Sequence, residues 1–328
     1  MFSRAPFSLL GSLARTHLVI PYYHMVSDEQ VPHVAHLYRF KTTAQFNDDL
    51  DFLLNTYTPI TLSDLLAWAK AGRSIPDRAF LLTFDDGFRE MSDIVAPILQ
   101  KKGISATFFV NSAFLDNREL CHVNKASLIV EHLKRHGSPA LEQTLSTLVR
   151  ASTGAGDDIP SRVLSIDYRH RRLLDEIATV IGLDFSEYLS TYQPYLTSAQ
   201  IHHLIAQGFT VGAHSIDHPE YLSLSLDEQL HQTIESVTLI RETFRLSYGV
   251  FAFPFSDHNI SREFFARLSH SSVDLSFGTA GLLDDSTPKH FQRFSLEKPL
   301  GTAQRIVAFH HVRRLRHLIT KTSAVVRG

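Results

Sequence analysis

Apolar positions follow two rhythms along this chain. Short apolar runs bounded by turn residues read as buried strands, and stretches with apolar positions three or four apart read as helices packed on them. Leu18-Val19-Ile20-Pro21-Tyr22-Tyr23 reads as a first strand, with Pro21 placing it toward an edge or terminus. From about Thr43, Phe46, Leu50, Leu53 and Leu54 share one helical face, and Thr61 caps a second helix, Leu62–Ala71. Ala79-Phe80-Leu81-Leu82 is the next strand. Ile94, Ile98 and Leu99 mark a helix ending near Gly103, before the strand Ala106-Thr107-Phe108-Phe109-Val110.

The rhythm changes over residues 112–194, where only helical periodicity is found (128–133, 141–149 and 173–181), broken by the Gly/Asp-rich run 153–158. This predicts a helical insertion that either covers a site or is a plain structural excursion. Alternation then resumes: a helix over 198–207 stopped by Gly208, a strand over 209–213, a long helix over 226–244, strands over 250–255, 273–278 and 293–297, and a closing helix over 302–319. No internal repeat is found. The alternation predicts α/β architecture, with residues 18–328 as a single unit and residues 1–17 as a leader or disordered segment.

Composition narrows the classes. With 44% hydrophobic and 20% charged residues the chain is globular, and a net charge of -2 gives no electrostatic case for nucleic acid. The basic run Arg313-Arg314-Leu315-Arg316 reads as a solvated helix face. A single cysteine, Cys121, rules out an internal disulfide and a cysteine-only metal site, and reads as an ordinary half-buried residue. No stretch approaches the roughly 20 apolar residues of a spanning helix. The start, Arg4 followed by Phe7-Ser8-Leu9-Leu10-Gly11-Ser12-Leu13-Ala14, is too broken for a signal peptide and reads as a disordered leader or an interfacial amphipathic segment. Location, in the cytoplasm or peripheral to a membrane, stays open, as does oligomeric state.

Candidate chemistry gathers where strands end. Thr83-Phe84-Asp85-Asp86-Gly87 places two carboxylates side by side, a costly arrangement for like charges. Neighbouring strand side chains face opposite ways, so one carboxylate can hold a cation while the other moves protons; Asp-Gly is also a common turn dipeptide. Ala213-His214-Ser215-Ile216-Asp217-His218 follows another strand, and its two imidazoles can converge on one cation if the backbone turns. Two loop histidines among the 19 in the chain is the plainer reading. His202-His203 and His310-His311 lie in helical patterns, where adjacent side chains diverge, and suggest no metal site. A third segment, Phe253-Pro254-Phe255-Ser256-Asp257, ends a strand in the same way. One aspartate and two histidines make the three-ligand set of a catalytic divalent site.

These motifs, with the opening Pro21-Tyr22-Tyr23-His24-Met25-Val26, resemble those of the polysaccharide deacetylases, the NodB-homology enzymes of carbohydrate esterase family four. The likeness runs from Asp85 to about Gly301. It implies an irregular (β/α) barrel and metal-dependent removal of N-acetyl groups from the amino sugars of a polysaccharide or glycan precursor. By resemblance Asp85 is the base, and Asp86, His214 and His218 hold a divalent metal ion, with Zn2+ suiting the donors and other first-row ions possible. The developing oxyanion would meet the metal and a backbone N–H near Pro254-Phe255.

The chain departs from the family in two places. Ala252 stands where the family has an arginine that orients the base, and Phe255 replaces a tyrosine. Arg293 either supplies the missing charge or forms a structural salt bridge. The acid histidine is His24, if the chain is circularly permuted, or else His310 in Ile306-Val307-Ala308-Phe309-His310; His24 is favoured. Two alternatives stand beside the N-acetylated glycan substrate: a small amide or cyclic imide, or an inactive glycan-binding homologue.

Overall fold

The computed structural model describes residues 16–150, 157–283, 285–297 and 301–320, with 325 and 327. Most of the expected leader and most of the Gly/Asp-rich break lie outside these residues. The strands, in chain order, are β1 (Leu18–Val19), β2 (Pro21–Tyr23), β3 (Thr58–Pro59), β4 (Ala79–Phe80), β5 (Leu82–Phe84), β6 (Ala106–Val110), β7 (Thr210–Ala213), β8 (Val250–Ala252), β9 (Leu275–Gly278), β10 (His290–Gln292) and β11 (Phe294–Ser295).

All pairings between these strands are parallel. One sheet has three strands in the order β1-β4-β3, and the other eight in the order β10-β9-β8-β7-β6-β5-β2-β11. The first predicted strand is therefore two, which belong to different sheets. Pro21 does not mark an edge: β2 pairs with β11 on one side and β5 on the other. Proline is tolerated there because it is the first residue of its strand. Its carbonyl still accepts the Thr83 hydroxyl at 3.1 Å.

β10 and β11 stand at opposite ends of the eight-strand order, yet only Arg293 separates them in sequence. One extended segment thus pairs with β9 through its first half and with β2 through its second, which closes the sheet into a nearly continuous barrel. Of the single strand expected over 293–297, β11 occupies Phe294–Ser295, and β10, which precedes it, is not among the expected strands. Strands covered on both faces read as unbroken apolar runs; β6 is buried at every position.

The helices begin where capping chemistry predicts. Thr42 with Gln45 starts Thr43–Thr56, and Thr61 with Asp64 starts Leu62–Ala71, each as a reciprocal capping box. The turn after β5 leads through a π-helical stretch, Met91–Val95, into Ala96–Lys102. Between β6 and β7 the chain forms His122–His136, Pro139–Arg150, Ile159–Leu164, Arg172–Ile181 and Phe185–Tyr192. These helices bury their own cluster, including Ile129, Leu145, Val163, Leu174 and Ile177. Cys121, at the start of this region, is buried rather than half-buried. The closing helix is Ala303–Thr320, and no helix of the described residues is long and apolar enough to cross a membrane.

Candidate active site

Parallel strands put all their carboxyl ends on one rim, the end where α/β barrels place their sites. His24 follows β2, Asp85 and Asp86 follow β5, His214 follows β7, the Phe253-Pro254-Phe255 turn follows β8, and Glu297 lies just past β11. Four non-glycine residues of this rim, Asp86, Ser215, His218 and Phe255, have φ between +51° and +73°. Left-handed backbone at non-glycine residues costs about 1–3 kcal/mol each and persists only where neighbours hold it. Here His218 N–H donates to Ser215 Oγ at 2.9 Å, Ile216 N–H to Gln232 Oε1 at 3.0 Å, and Asn111 donates to the His214 carbonyl.

The two carboxylates diverge at this turn. Asp85 receives both arms of Arg293, Nη1 to Oδ1 at 2.7 Å and Nη2 to Oδ2 at 2.8 Å. The pair is fully enclosed, with Asp85 2% and Arg293 0% exposed. The Arg293 guanidinium also lies 4.7 Å from the Tyr22 ring centre and donates to Thr83 Oγ1 at 3.2 Å. Burial pushes the Asp85 carboxyl up, but the Arg293 charge, then His214, outweigh it and hold Asp85 below the usual carboxylate range.

Asp86 Oδ1 faces His214 Nε2 at 3.4 Å and His218 Nε2 at 3.2 Å. The three ligand atoms lie within 4.8 Å of one another. His214 Nδ1 sits 2.9 Å from the Ala252 carbonyl, so it carries the hydrogen and leaves the Nε2 lone pair toward Asp86. Asp86 Oδ1 is buried with no hydrogen-bond donor on it. An acceptor oxygen shut in with a lone-pair nitrogen is an arrangement that a cation completes, so the residues fit a divalent ion.

His24 sits opposite Glu297, with Nδ1 2.5 Å from Oε2. Glu297 Oε1 also accepts the N–H groups of His24 and Met25 at 3.0 and 2.9 Å. Burial pulls the imidazole down, but the charge and hydrogen bond of Glu297 more than offset this, and the His24 pKa is raised to about 9. Sequence reasoning passed over Glu297; the available signal was an acidic residue at the end of a strand predicted to reach the site. His310 lies apart, buried in the closing helix with its ring 4.7 Å from that of Phe294.

Pro254 is buried, whereas Phe255 is 46% exposed with its ring 4.6 Å from His218. Together with Tyr22, His24, Asp85, His214 and His218, Phe255 lines a cavity of about 480 Å³. Asp257 belongs instead to a separate buried group with His290 and Asp285, also close enough to share an ion. There Arg327 already supplies the positive charge, with Nη2 2.7 Å from Asp257 Oδ2.

A family profile described as polysaccharide deacetylase matches residues 72–267. Among curated proteins no sequence matches. Of solved structures, a Streptococcus pyogenes deacetylase, PplD, in complex with acetate is similar over 88% of this chain and 96% of its own, at 13% identity and a TM-score of 0.56. IcaB from Ammonifex degensii is similar over 90% of this chain and 97% of its own, at 16% identity and the same TM-score, 0.56. A de-N-acetylase from Aggregatibacter actinomycetemcomitans gives 0.52 at 13% identity, over 84% and 94% of the two chains. At these identities the likeness speaks for the barrel. The profile, spanning more than half of the sequence and including both carboxylates and both histidines, speaks for descent: the chain belongs to the polysaccharide deacetylase family, hydrolases of the carbon–nitrogen bond in N-acetylated sugars.

Proposed function

We propose that this chain is a divalent-metal-dependent N-deacetylase of amino sugars in a glycan or glycan precursor. The observation that carries the reading is a buried carboxylate, Asp85, kept ionised by Arg293 beside the Asp86–His214–His218 donor set. Asp86, His214 and His218 would hold the ion, which when bound supplies Lewis-acid polarisation of the acetyl carbonyl and of water.

The chain's own residues do the rest. Asp85 takes a proton from the attacking water as its oxygen bonds to the acetyl carbon. Arg293 fixes the direction of that carboxylate. The Phe255 N–H, which makes no hydrogen bond among the described residues, donates to the carbonyl oxygen as it gains charge. His24, protonated and held through Nδ1 by Glu297, gives the proton at Nε2 to the departing nitrogen as the carbon–nitrogen bond breaks. The products are acetate and the free amine.

The test is acetate release from N-acetylated oligosaccharides, with small amides and cyclic imides assayed in parallel. Release that stops on chelation and returns with stoichiometric Zn2+ is expected. Less than one bound ion per chain after remetallation, or turnover of the small amides alone, would overturn the reading.

The acid assignment makes a separate prediction. His24→Ala should lower kcat by about 10²- to 10⁴-fold with metal stoichiometry unchanged, and His310→Ala should leave kcat near wild type. Activity should fall as pH rises past the His24 pKa, which the Glu297 charge raises and a cation bound nearby would lower. Glu297→Gln removes the charge that raises it, so the descending limb should move to lower pH. A full-activity His24→Ala with an inactive His310→Ala would sink the assignment.

A further inference from the structure

An N–H group stabilises a developing oxyanion at full strength only when it is aimed there in advance. The Phe255 N–H belongs to a turn that its own exposed side chain does little to hold. The backbone there is left-handed, with φ of +51°, so the turn needs restraint from its neighbours. Thr279, just past β9, supplies two restraints. Its hydroxyl donates to the Phe255 carbonyl at 3.2 Å, and its N–H donates to Asp257 Oδ1 at 2.9 Å. One residue thus grips the turn at Phe255 and again two residues on.

Asp257 is itself held from several sides. It is buried, and its Oδ2 accepts from Gln292 Nε2 at 2.7 Å, His290 Nε2 at 3.0 Å and Arg327 Nη2 at 2.7 Å. The carboxyl packs over Gly278, where a Cβ would stand only 2.4 Å from it. Arg327 reaches in from beyond Ala303–Thr320 with its side chain enclosed. Its Nη1 donates to the Asp257 carbonyl at 2.5 Å, and its guanidinium lies 4.5 Å from the Phe265 ring centre.

Burial pushes the Asp257 carboxyl up, but the hydrogen bond and charge of His290, then the hydrogen bond of Gln292, outweigh it and hold it far below the usual carboxylate range. An anion at every working pH has no proton to give, so its task is to hold other groups. Gln292 directly precedes Arg293 in the chain, so one carboxylate anchors both the Phe255 turn and the segment that orients Asp85.

Resting on the deacetylase reading above, we propose that Asp257 and Thr279 are positioning residues of the reaction, which together aim the Phe255 N–H at the developing oxyanion. Arg327 is the counter-ion that lets Asp257 do this from a buried place.

The test uses the full chain loaded with Zn2+. Acetate release from N-acetylglucosamine oligomers gives kcat and KM, and circular dichroism reports the fold. Thr279→Val removes the hydroxyl on the Phe255 carbonyl and keeps the N–H on Asp257. Its kcat should fall roughly tenfold, part of the roughly 10²- to 10³-fold that one oxyanion donor is worth, with KM within about threefold of wild type. Asp257→Asn turns an amide toward donors that need an acceptor, and should lower kcat roughly a hundredfold with bound metal unchanged. Arg327→Met should resemble Asp257→Asn, and Arg327→Lys should recover part of the loss. A methylphosphonamidate analogue of the acetyl group, tetrahedral like the intermediate, should lose affinity in step with kcat/KM. A barrel loosened as a whole would weaken substrate and analogue alike. Wild-type kcat in Thr279→Val, or a loss confined to KM, overturns the proposal, and this variant decides alone if Asp257→Asn does not fold. Wild-type kcat in a folded Arg327→Met overturns the counter-ion role. A wild-type chain that releases no acetate from any N-acetylated probe would instead bring down the deacetylase reading, and this inference with it.

Discussion

Asp85→Asn is expected to lower kcat/KM by about 10²- to 10⁴-fold, the usual worth of a positioned general base, while bound metal stays at wild-type stoichiometry. The amide is nearly the same shape but takes no proton from water. It also leaves the Arg293 guanidinium buried without a counter-charge. Removing one partner of an enclosed ion pair costs about 3–5 kcal/mol, so the melting temperature should drop as well. The pH dependence of stability separates the two effects. The folded-state pKa of Asp85 is depressed below its ordinary 3.8, so its contribution to stability is complete above that value and lost as pH falls through the folded pKa. The variant should lack this component of acid denaturation. Activity within tenfold of wild type would remove Asp85 from the role of base.

Arg293→Met should do comparable damage by the opposite route. The Asp85 carboxylate, 2% exposed, would lose its bidentate partner, so burial would push its pKa up and leave less of it ionised to act as a base. A loss of about 3–5 kcal/mol in stability is expected, from equilibrium denaturation, together with a shift of the acidic limb of kcat/KM to higher pH. Arg293→Lys should rescue neither fully, because an ammonium cannot present two parallel donors to one carboxylate. The paired substitution Asp85→Leu/Arg293→Met is the decisive control. Replacing both charges with apolar groups should restore most of the stability and none of the activity. A paired variant as unstable as Arg293→Met alone would mean that Arg293 stabilises the barrel through its contacts with Tyr22 and Thr83 rather than through Asp85.

What the sequence reveals here is what local rules govern. The Thr61 cap, the stop at Gly103, and the placement of Asp85, Asp86, His214 and His218 after strands all depend on residues a few positions apart. What it conceals depends on pairs that only the closed barrel brings together. Arg293 and Asp85 are 208 residues apart, and His24 and Glu297 are 273 apart. No periodicity links such positions, so the sequence leaves Arg293 between two roles and leaves Glu297 without any. The misplaced edge at Pro21 has the same origin: an apolar run shows that a strand is buried without showing how many neighbours it has. The division of residues 18–23 between two sheets is likewise invisible, because nothing in the short hydrophobic run says which neighbours each half pairs with.

The segment that closes the barrel links assembly to chemistry. Arg293 sits at the seam between β10 and β11, and Glu297 lies just past β11. Until this stave docks between β9 and β2, the pairs Arg293–Asp85 and Glu297–His24 do not exist. Long-range pairings of this kind pay their loop-closure entropy before they gain contacts, which makes them slow. On refolding, helical circular dichroism should therefore recover before acetate-releasing activity, and simultaneous recovery would refute this order. A nascent chain would then acquire its helices and most of its sheet while still inert, and would first gain hydrolytic power when the final stave seals the cylinder.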